Sequence, residues 1–173
     1  AASYPDGVSR SAEQQEAEAE DATPPRAPRV PKHPGASSPE VSRRMSRAKR
    51  RDTAPEIELR RLLHRAGLRY RVAYPVPGNR RRTIDIAFPG IKLAVFVDGC
   101  FWHGCPEHGT MPRANGGWWA TKLAANQERD RETRELLESD GWAVVRVWEH
   151  EPVGVAAANI KVLVAASRTA RTN

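Results

Sequence analysis

The chain has 173 residues, 39 % of them hydrophobic, with a formal net charge of +7 and a pI near 10.0. That length suits one domain plus a tail, and the basic balance favours polyanionic partners. No apolar run approaches the roughly 20 residues of a membrane span, and no secretory signal is evident. The two cysteines, Cys100 and Cys105, are too close in sequence to staple distant elements. The composition therefore points away from a membrane protein or a disulfide scaffold and toward a reducing, cytoplasmic location.

Residues 1–40 carry 4 basic and 7 acidic side chains and seven of the fourteen prolines. So few large apolar groups cannot offset the entropy of ordering, so 1–40 is predicted to be a disordered tail. Residues 41–52 read as a basic arm, with six basic residues in Arg43–Arg51, suited to phosphates or simply to solvent. A folded domain is predicted over 53–166, followed by a tail over 167–173. Thr53 is the expected cap of a helix running to Ala66, with Pro55 in its first turn and Glu56 completing a capping box. Tyr70–Tyr74 is predicted as a short strand and Pro75–Arg82 as a turn-rich basic loop. Thr83–Phe88 is predicted as a strand with Ile84, Ile86 and Phe88 on one face. Ile91–Asp98 is nearly all apolar and reads as a central strand buried on both faces. Residues 104–117 are irregular, Trp118–Asp140 is a long helix, Trp142–Trp148 a strand and 153–166 a last helix. The order α-β-β-β-α-β-α implies an α/β fold with helices packed on a mixed central sheet.

Several residues stand out from this framework. Asp85 places a carboxylate inside a strand, where either an edge position or a divalent-metal ligand accounts for it. Phosphodiester cleavage needs an activated water and charge neutralisation at the leaving oxygen, which Mg²⁺ held by carboxylates supplies. Asp98 ends the buried strand, as a site residue or a turn-starting aspartate does. Phe101-Trp102-His103 sets two large aromatics in a glycine-rich stretch. Such rings either cap a core or wedge between base pairs, and His103 beside them is a candidate general base. Cys105 and His108 have Cys-x2-His spacing, and with Asp130 and His150 they make a candidate tetrahedral zinc site. On the long helix, Trp119, Leu123, Asn126, Asp130 and Leu137 recur at helical spacing, so Asn126 and Asp130 need polar partners. An ion pair of Asp130 with Arg134 at i+4 is the alternative to zinc.

From about Val41 to Glu151 the chain resembles the very short patch repair endonucleases, bacterial DNA mismatch endonucleases. The resemblance rests on Met45-Ser46-Arg47, Asp52-Thr53-x-Pro55-Glu56, Gly67-Leu68-Arg69-Tyr70-Arg71, the run Val95 to Pro106, Asn126-x-x-Arg129-Asp130 and Gly141-Trp142-x-Val144-x-Arg146-Val147-Trp148-Glu149. It implies a restriction-endonuclease-like fold with a structural zinc, and nicking of one DNA strand beside the thymine of a T:G mismatch left by deamination of 5-methylcytosine. It further implies Mg²⁺ held by Asp85 and the Val97 carbonyl, with His103 activating water. Glu56 would support the site, and Asp98 stands where the best-known member has histidine. Phe101, Trp102 and Trp119 would intercalate, and Cys105, His108, Asp130 and His150 would hold Zn²⁺. The expected partner is mismatched duplex DNA, met by a monomer at the bacterial nucleoid.

One departure concerns the loop before Asp85. The family's usual Pro-Gly-Arg-Pro-Asp run is here Pro77-Gly78-Asn79-Arg80-Arg81-Arg82-Thr83-Ile84-Asp85. A restriction-like nuclease with another or broader DNA substrate is therefore a second expectation. A non-catalytic, zinc-stabilised binder of distorted DNA is a third, against which Asp85, Glu56 and His103 argue.

Overall fold

The computed structural model describes residues 29–36, 38–47 and 51–170. Most of the expected N-terminal tail, residues 1–28, and the last residues, 171–173, lie outside them. Residues 29–36 run without regular structure into helix α1, Pro39–Arg47. The basic arm is thus helical over much of its length.

Helix α2, Ala54–Arg65, begins after Thr53 with proline in its first turn. The expected capping box takes a different form. Glu56 accepts the backbone N–H of Asp52 at 3.0 Å and the Thr53 hydroxyl at 3.0 Å, while the Thr53 side chain caps no backbone N–H. Leu59 and Leu63, one turn apart, are fully buried beneath.

The expected loop 75–82 is mostly sheet. Strand β1, Arg71–Val76, turns through Pro77 and Gly78 directly into β2, Asn79–Phe88. Gly78 has φ +76, a left-handed turn conformation that glycine adopts without strain. After a short 3-10 turn, Pro89–Ile91, come β3, Leu93–Asp98, helix α3, Gly116–Ser139, strand β4, Ala143–Trp148, and helix α4, Val153–Ala170.

The four strands form one mixed sheet in the order β1-β2-β3-β4. The first two pairings are antiparallel and β3 runs parallel to β4, with α3 as the crossover. Strand β3 is interior, as its apolar run predicts, and its alternation divides the core. Leu93 and Val95 pack with Leu59, Leu63, Ile160 and Val164 of α2 and α4. Ala94 packs with Leu137 and Trp142 at the end of α3. On β2 the expected single face breaks at Asp85: Ile86 and Phe88 join the first cluster and Ile84 the second. Ala73, which lies across from Asp85 between the paired Val72 and Tyr74, has φ +50. The strand pair is locally distorted where the carboxylate sits.

Helix α4 is the one described helix long and apolar enough to cross a membrane by length and composition. Its stripe of Ala156, Ala157, Ile160 and Val164 is buried in the core, which gives that apolarity a structural use.

Candidate active site and metal centre

Strands β2 and β3 are paired only where 86–88 face 93–95, and then they part. The Asp85 side chain reaches into this opening, where its Oδ2 accepts the N–H of Val97 at 2.9 Å. Burial pushes the Asp85 carboxyl up to about 6, against the lowering effect of that N–H and of His103, and the charges of Glu56 and Asp98 push the same way as burial. A buried carboxylate with two like charges nearby is a place that favours a cation.

Asp98 is at the end of β3, 2 % exposed. It pairs across the parallel ladder with Trp148, two residues beyond Arg146 and so on the same face of β4. Arg146 grips it bidentately, through Nε to Oδ2 and through Nη2 to Oδ1 at 2.7 Å. The same Nη2 lies 3.0 Å from Asp130 on α3. Burial would lower the Arg146 pKa, but the hydrogen bond and charge of Asp98, with those of Asp130, raise it.

Asp130 also meets His103, Oδ2 to Nδ1, at 2.5 Å. Burial pushes the Asp130 carboxyl up, but the His103 hydrogen bond and the charges of His103, Arg146 and Arg129 outweigh it and hold it below the usual range. A proton on Nδ1 shared with Asp130 leaves Nε2 of neutral His103 as the basic nitrogen. Glu56, Asp85, Asp98, His103 and Asp130 line one cleft of about 280 Å³. The geometry therefore combines an acidic cation site with an imidazole held by a carboxylate, a set suited to activating water.

The loop after β3 carries the aromatics. Trp102 and His103 donate their N–H groups to the Gly99 carbonyl, both at 3.1 Å, and Glu149 accepts the Cys100 N–H at 2.6 Å. Gly104 has φ +65, a left-handed conformation that glycine adopts without strain, and a Cβ there would also push the end of the Gln127 side chain aside. Asn126 donates to the Trp102 carbonyl at 3.0 Å, which supplies its partner. Phe101 sits with its ring 5.0 Å from Trp102 and 5.1 Å from Trp119 of α3. The three rings are thus brought together beside the cleft.

The side chains that come together as a candidate metal centre differ from the sequence expectation in one member. Cys100, Cys105, His108 and His150 bring ligand atoms within 4.8 Å of one another. Cys100 Sγ is 3.1 Å from His150 Nδ1, and Cys105 Sγ is 3.7 Å from the same atom and 4.0 Å from His108 Nδ1. Asp130 is turned to His103 and Arg146 instead, and Cys100 is the fourth member of the group. Burial, reinforced by the hydrogen bond and charge of Cys105, pushes the Cys100 thiol up to about 11 without a cation. Two thiols and two imidazoles are a soft donor set, matched to a transition-metal ion rather than to Mg²⁺. The signal for Cys100 was its Cys-x4-Cys-x2-His spacing. Arg146, which sequence reasoning placed in a motif without a role, had no local signal beyond being a charge in an apolar strand.

The family model described as DNA mismatch endonuclease Vsr matches residues 38–107. The type II nicking enzyme V.NaeI of Lentzea aerocolonigenes is 44 % identical over 121 residues, covering 69 % of this chain and 73 % of that protein. The type II nicking enzyme V.XorIIP of Xanthomonas oryzae pv. oryzae is 40 % identical over 110 residues, 62 % of this chain and 77 % of its own length. The DNA mismatch endonuclease Vsr of Escherichia coli is 34 % identical over 113 residues, 62 % of this chain and 68 % of that protein.

Proposed function

This chain belongs to the Vsr family of DNA mismatch endonucleases, and we propose that it nicks one strand of duplex DNA beside the thymine of a T:G mismatch. The observation that carries this reading is the single cleft holding Asp85, Asp98 and the His103–Asp130 pair, with His103 on the same loop as Phe101 and Trp102, whose rings cluster with Trp119. The mixed sheet with helices on both faces supports the restriction-endonuclease-like fold that the family resemblance implies.

Asp85 is the proposed Mg²⁺ ligand, with the Val97 carbonyl beside it. Its hard oxygens, buried next to two further carboxylates, fit a hard divalent cation. Such an ion supplies charge neutralisation at the scissile phosphate and a lower barrier to deprotonating water. His103 is the group that accepts the water's proton at Nε2, and Asp130 fixes its tautomer and orientation through Nδ1. Arg146 keeps Asp98 and Asp130 compatible by lying between them. Glu56, 6 % exposed and bonded to Asp52 and Thr53, holds the start of α2 against the cleft. The Cys100, Cys105, His108 and His150 set suits Zn²⁺. Four protein donors leave no open position, so its role is to fix the loop that carries Phe101 to His103.

A nicking assay on a panel of T:G, other mismatched and fully paired duplexes with Mg²⁺ tests the proposal. Strand-specific cleavage of T:G duplex, lost in Asp85→Ala, is the expected result. Undiminished cleavage by Asp85→Ala would remove Asp85 from the reaction. A second reading, nicking of a different or broader DNA substrate, is favoured by the arginine-rich start of β2 facing the cleft. Equal rates on paired and T:G duplex would select it.

A further inference from the structure

Five arginines line the catalytic cleft: Arg81 and Arg82 from β2, Arg129 and Arg134 from α3, and Arg146 from β4. Three of them have internal work. Arg146 holds Asp98 and Asp130. Arg82 ties the start of β2 to α3, donating to the Arg129 carbonyl at 3.1 Å and to Thr133 Oγ1 at 2.9 Å, and pairing with Glu132 at 2.5 Å. Arg129 is exposed and its side chain makes no hydrogen bond or ion pair among the described residues, but its charge is directed at Asp130, whose carboxyl it helps to hold low. Arg81 and Arg134 are different. Both are exposed, and among the described residues neither side chain has a hydrogen bond or ion pair. Arg134 lies one turn from Asp130, yet that carboxylate is taken by His103 and Arg146.

We propose that Arg81 and Arg134 form a two-element phosphate clamp that holds backbone phosphates of the substrate strand over the Asp85 cleft. The electrostatics favour such a device. Arg146 offsets Asp98 and Asp130, and Arg60 lies 3.6 Å from Glu56, which leaves Asp85 without an arginine or lysine ion pair among the described residues. An incoming polyanion is helped past that carboxylate by unpaired positive charge at the rim. Planar guanidinium groups match phosphate oxygens bidentately. The clamp is also braced. Arg82 anchors β2 to the helix that bears Arg134, and the Arg81 N–H is held by Asn79 Oδ1 at 3.2 Å. The two arginines therefore come from elements that are fixed to each other before DNA arrives. Contacts of this kind position the strand and carry no base information. This inference rests on the proposed DNA cleavage and adds the residues that seat the backbone.

The test is equilibrium binding of the full chain to paired and T:G duplexes, with Ca²⁺ in place of Mg²⁺, across a salt series. For Arg81→Gln and Arg134→Gln, the slope of log K against log salt is expected to be shallower by about 0.9 each, and by about twice that in the double variant. Arg81→Lys and Arg134→Lys should keep the slope, since a point charge still displaces a counterion. The loss should be the same on paired and T:G duplex, and in nicking assays it should raise KM while kcat at saturating DNA stays within twofold. Arg61→Gln, on the outer face of α2, serves as the comparison and should keep the wild-type slope. Slopes unchanged in both glutamine variants, or reduced equally by Arg61→Gln, overturn the clamp while leaving the nuclease reading intact. A wild-type chain that binds no duplex at any salt concentration overturns both.

Discussion

At the residue scale the His103–Asp130 contact makes the sharpest demand. An imidazole acting as base needs its proton on the nitrogen away from the substrate, and a carboxylate at 2.5 Å from Nδ1 enforces that tautomer. Asp130→Asn keeps the shape but can present an N–H to Nδ1, favouring the wrong tautomer. Single-turnover nicking by Asp130→Asn should fall by about 10² to 10⁴. In a His103→Ala background the same change should add little, because the two act as a unit. A full additive loss would show that Asp130 works independently of His103. Asp85 yields a second prediction, about stability. Its carboxyl titrates at about 6 in the fold, above the 3.8 of an unperturbed aspartate. The folded state therefore binds the proton more tightly, and this contribution to stability is fully present below about pH 4 and lost as pH rises through 6. Asp85→Asn carries no charge to bury and can still accept the Val97 N–H. Without divalent cation it should be more stable than wild type by about 3 kcal/mol at pH 8, with the gap gone by pH 4. Denaturant melts at the two pH values measure it, and Mg²⁺ should raise the wild-type midpoint at pH 8 but not that of Asp85→Asn.

At the element scale the loop between β3 and α3 is held at both ends by different means. Its start is bonded to Glu149 and its turn carries the Cys/His group, so a metal bound there would govern where Phe101, Trp102 and His103 stand. Cys100→Ala should lose bound zinc, with affinity down about tenfold or more, whereas Asp130→Ala should retain it. Metal content by mass spectrometry after dialysis separates the two, and zinc loss from Asp130→Ala alone would restore the ligand set expected from sequence. The difference between the two candidate sets is physical. Asp130 is a polar residue on the buried stripe of α3, and a buried carboxylate needs a cation, but sequence cannot say whether the cation is a metal or the guanidinium of Arg146 from β4. The strongly periodic elements were legible: α2 from its proline and apolar spacing, β3 from its continuous apolar run, α3 from the recurrence of Trp119, Leu123, Asn126, Asp130 and Leu137, of which all but Asp130 are buried. The first half of β2 was not. Asn79 to Arg82 look like loop because their side chains are polar, and they are held in the sheet by a two-residue turn and by the grip of Arg82 on α3, a partner some fifty residues away. Helix α1 was likewise hidden in a run that composition marks only as basic.

At the scale of the whole molecule, the N-terminal arm joins two distant parts of the domain. Asp52 is tied to Glu56 at the start of α2, while residues 31–35 dock at the start of α3. There the Trp118 indole N–H donates to the Pro31 carbonyl at 2.9 Å, Asn115 donates to the Gly35 carbonyl at 3.1 Å, and the His33 ring stands edge-on to Trp118 at 4.4 Å. Between the arm and the aromatic cluster is a cavity of about 670 Å³, lined by Val41 and Met45 on one side and Phe101, Trp102 and Trp119 on the other. Trp119 is only 6 % exposed in this arrangement. If the rings are to wedge into a mismatched duplex, the docked segment must first give way, and its contacts set a toll on association. One hydrogen bond contributes about 1 kcal/mol and one aromatic edge contact about 0.5 to 1.5 kcal/mol. The double variant His33→Ala/Asn115→Gly removes both, with glycine chosen because Asn115 has φ +58. It should enlarge the open population by roughly tenfold and raise the association rate constant for T:G duplex by up to that factor. Stopped-flow tryptophan fluorescence on the full chain reads it directly. The rate should rise for mismatched duplex, where the rings would insert, far more than for paired duplex, where capture would rest on surface charge. An unchanged rate on both would mean that the segment does not cover the rings when DNA arrives, and that the arm closes only after the wedge is in place.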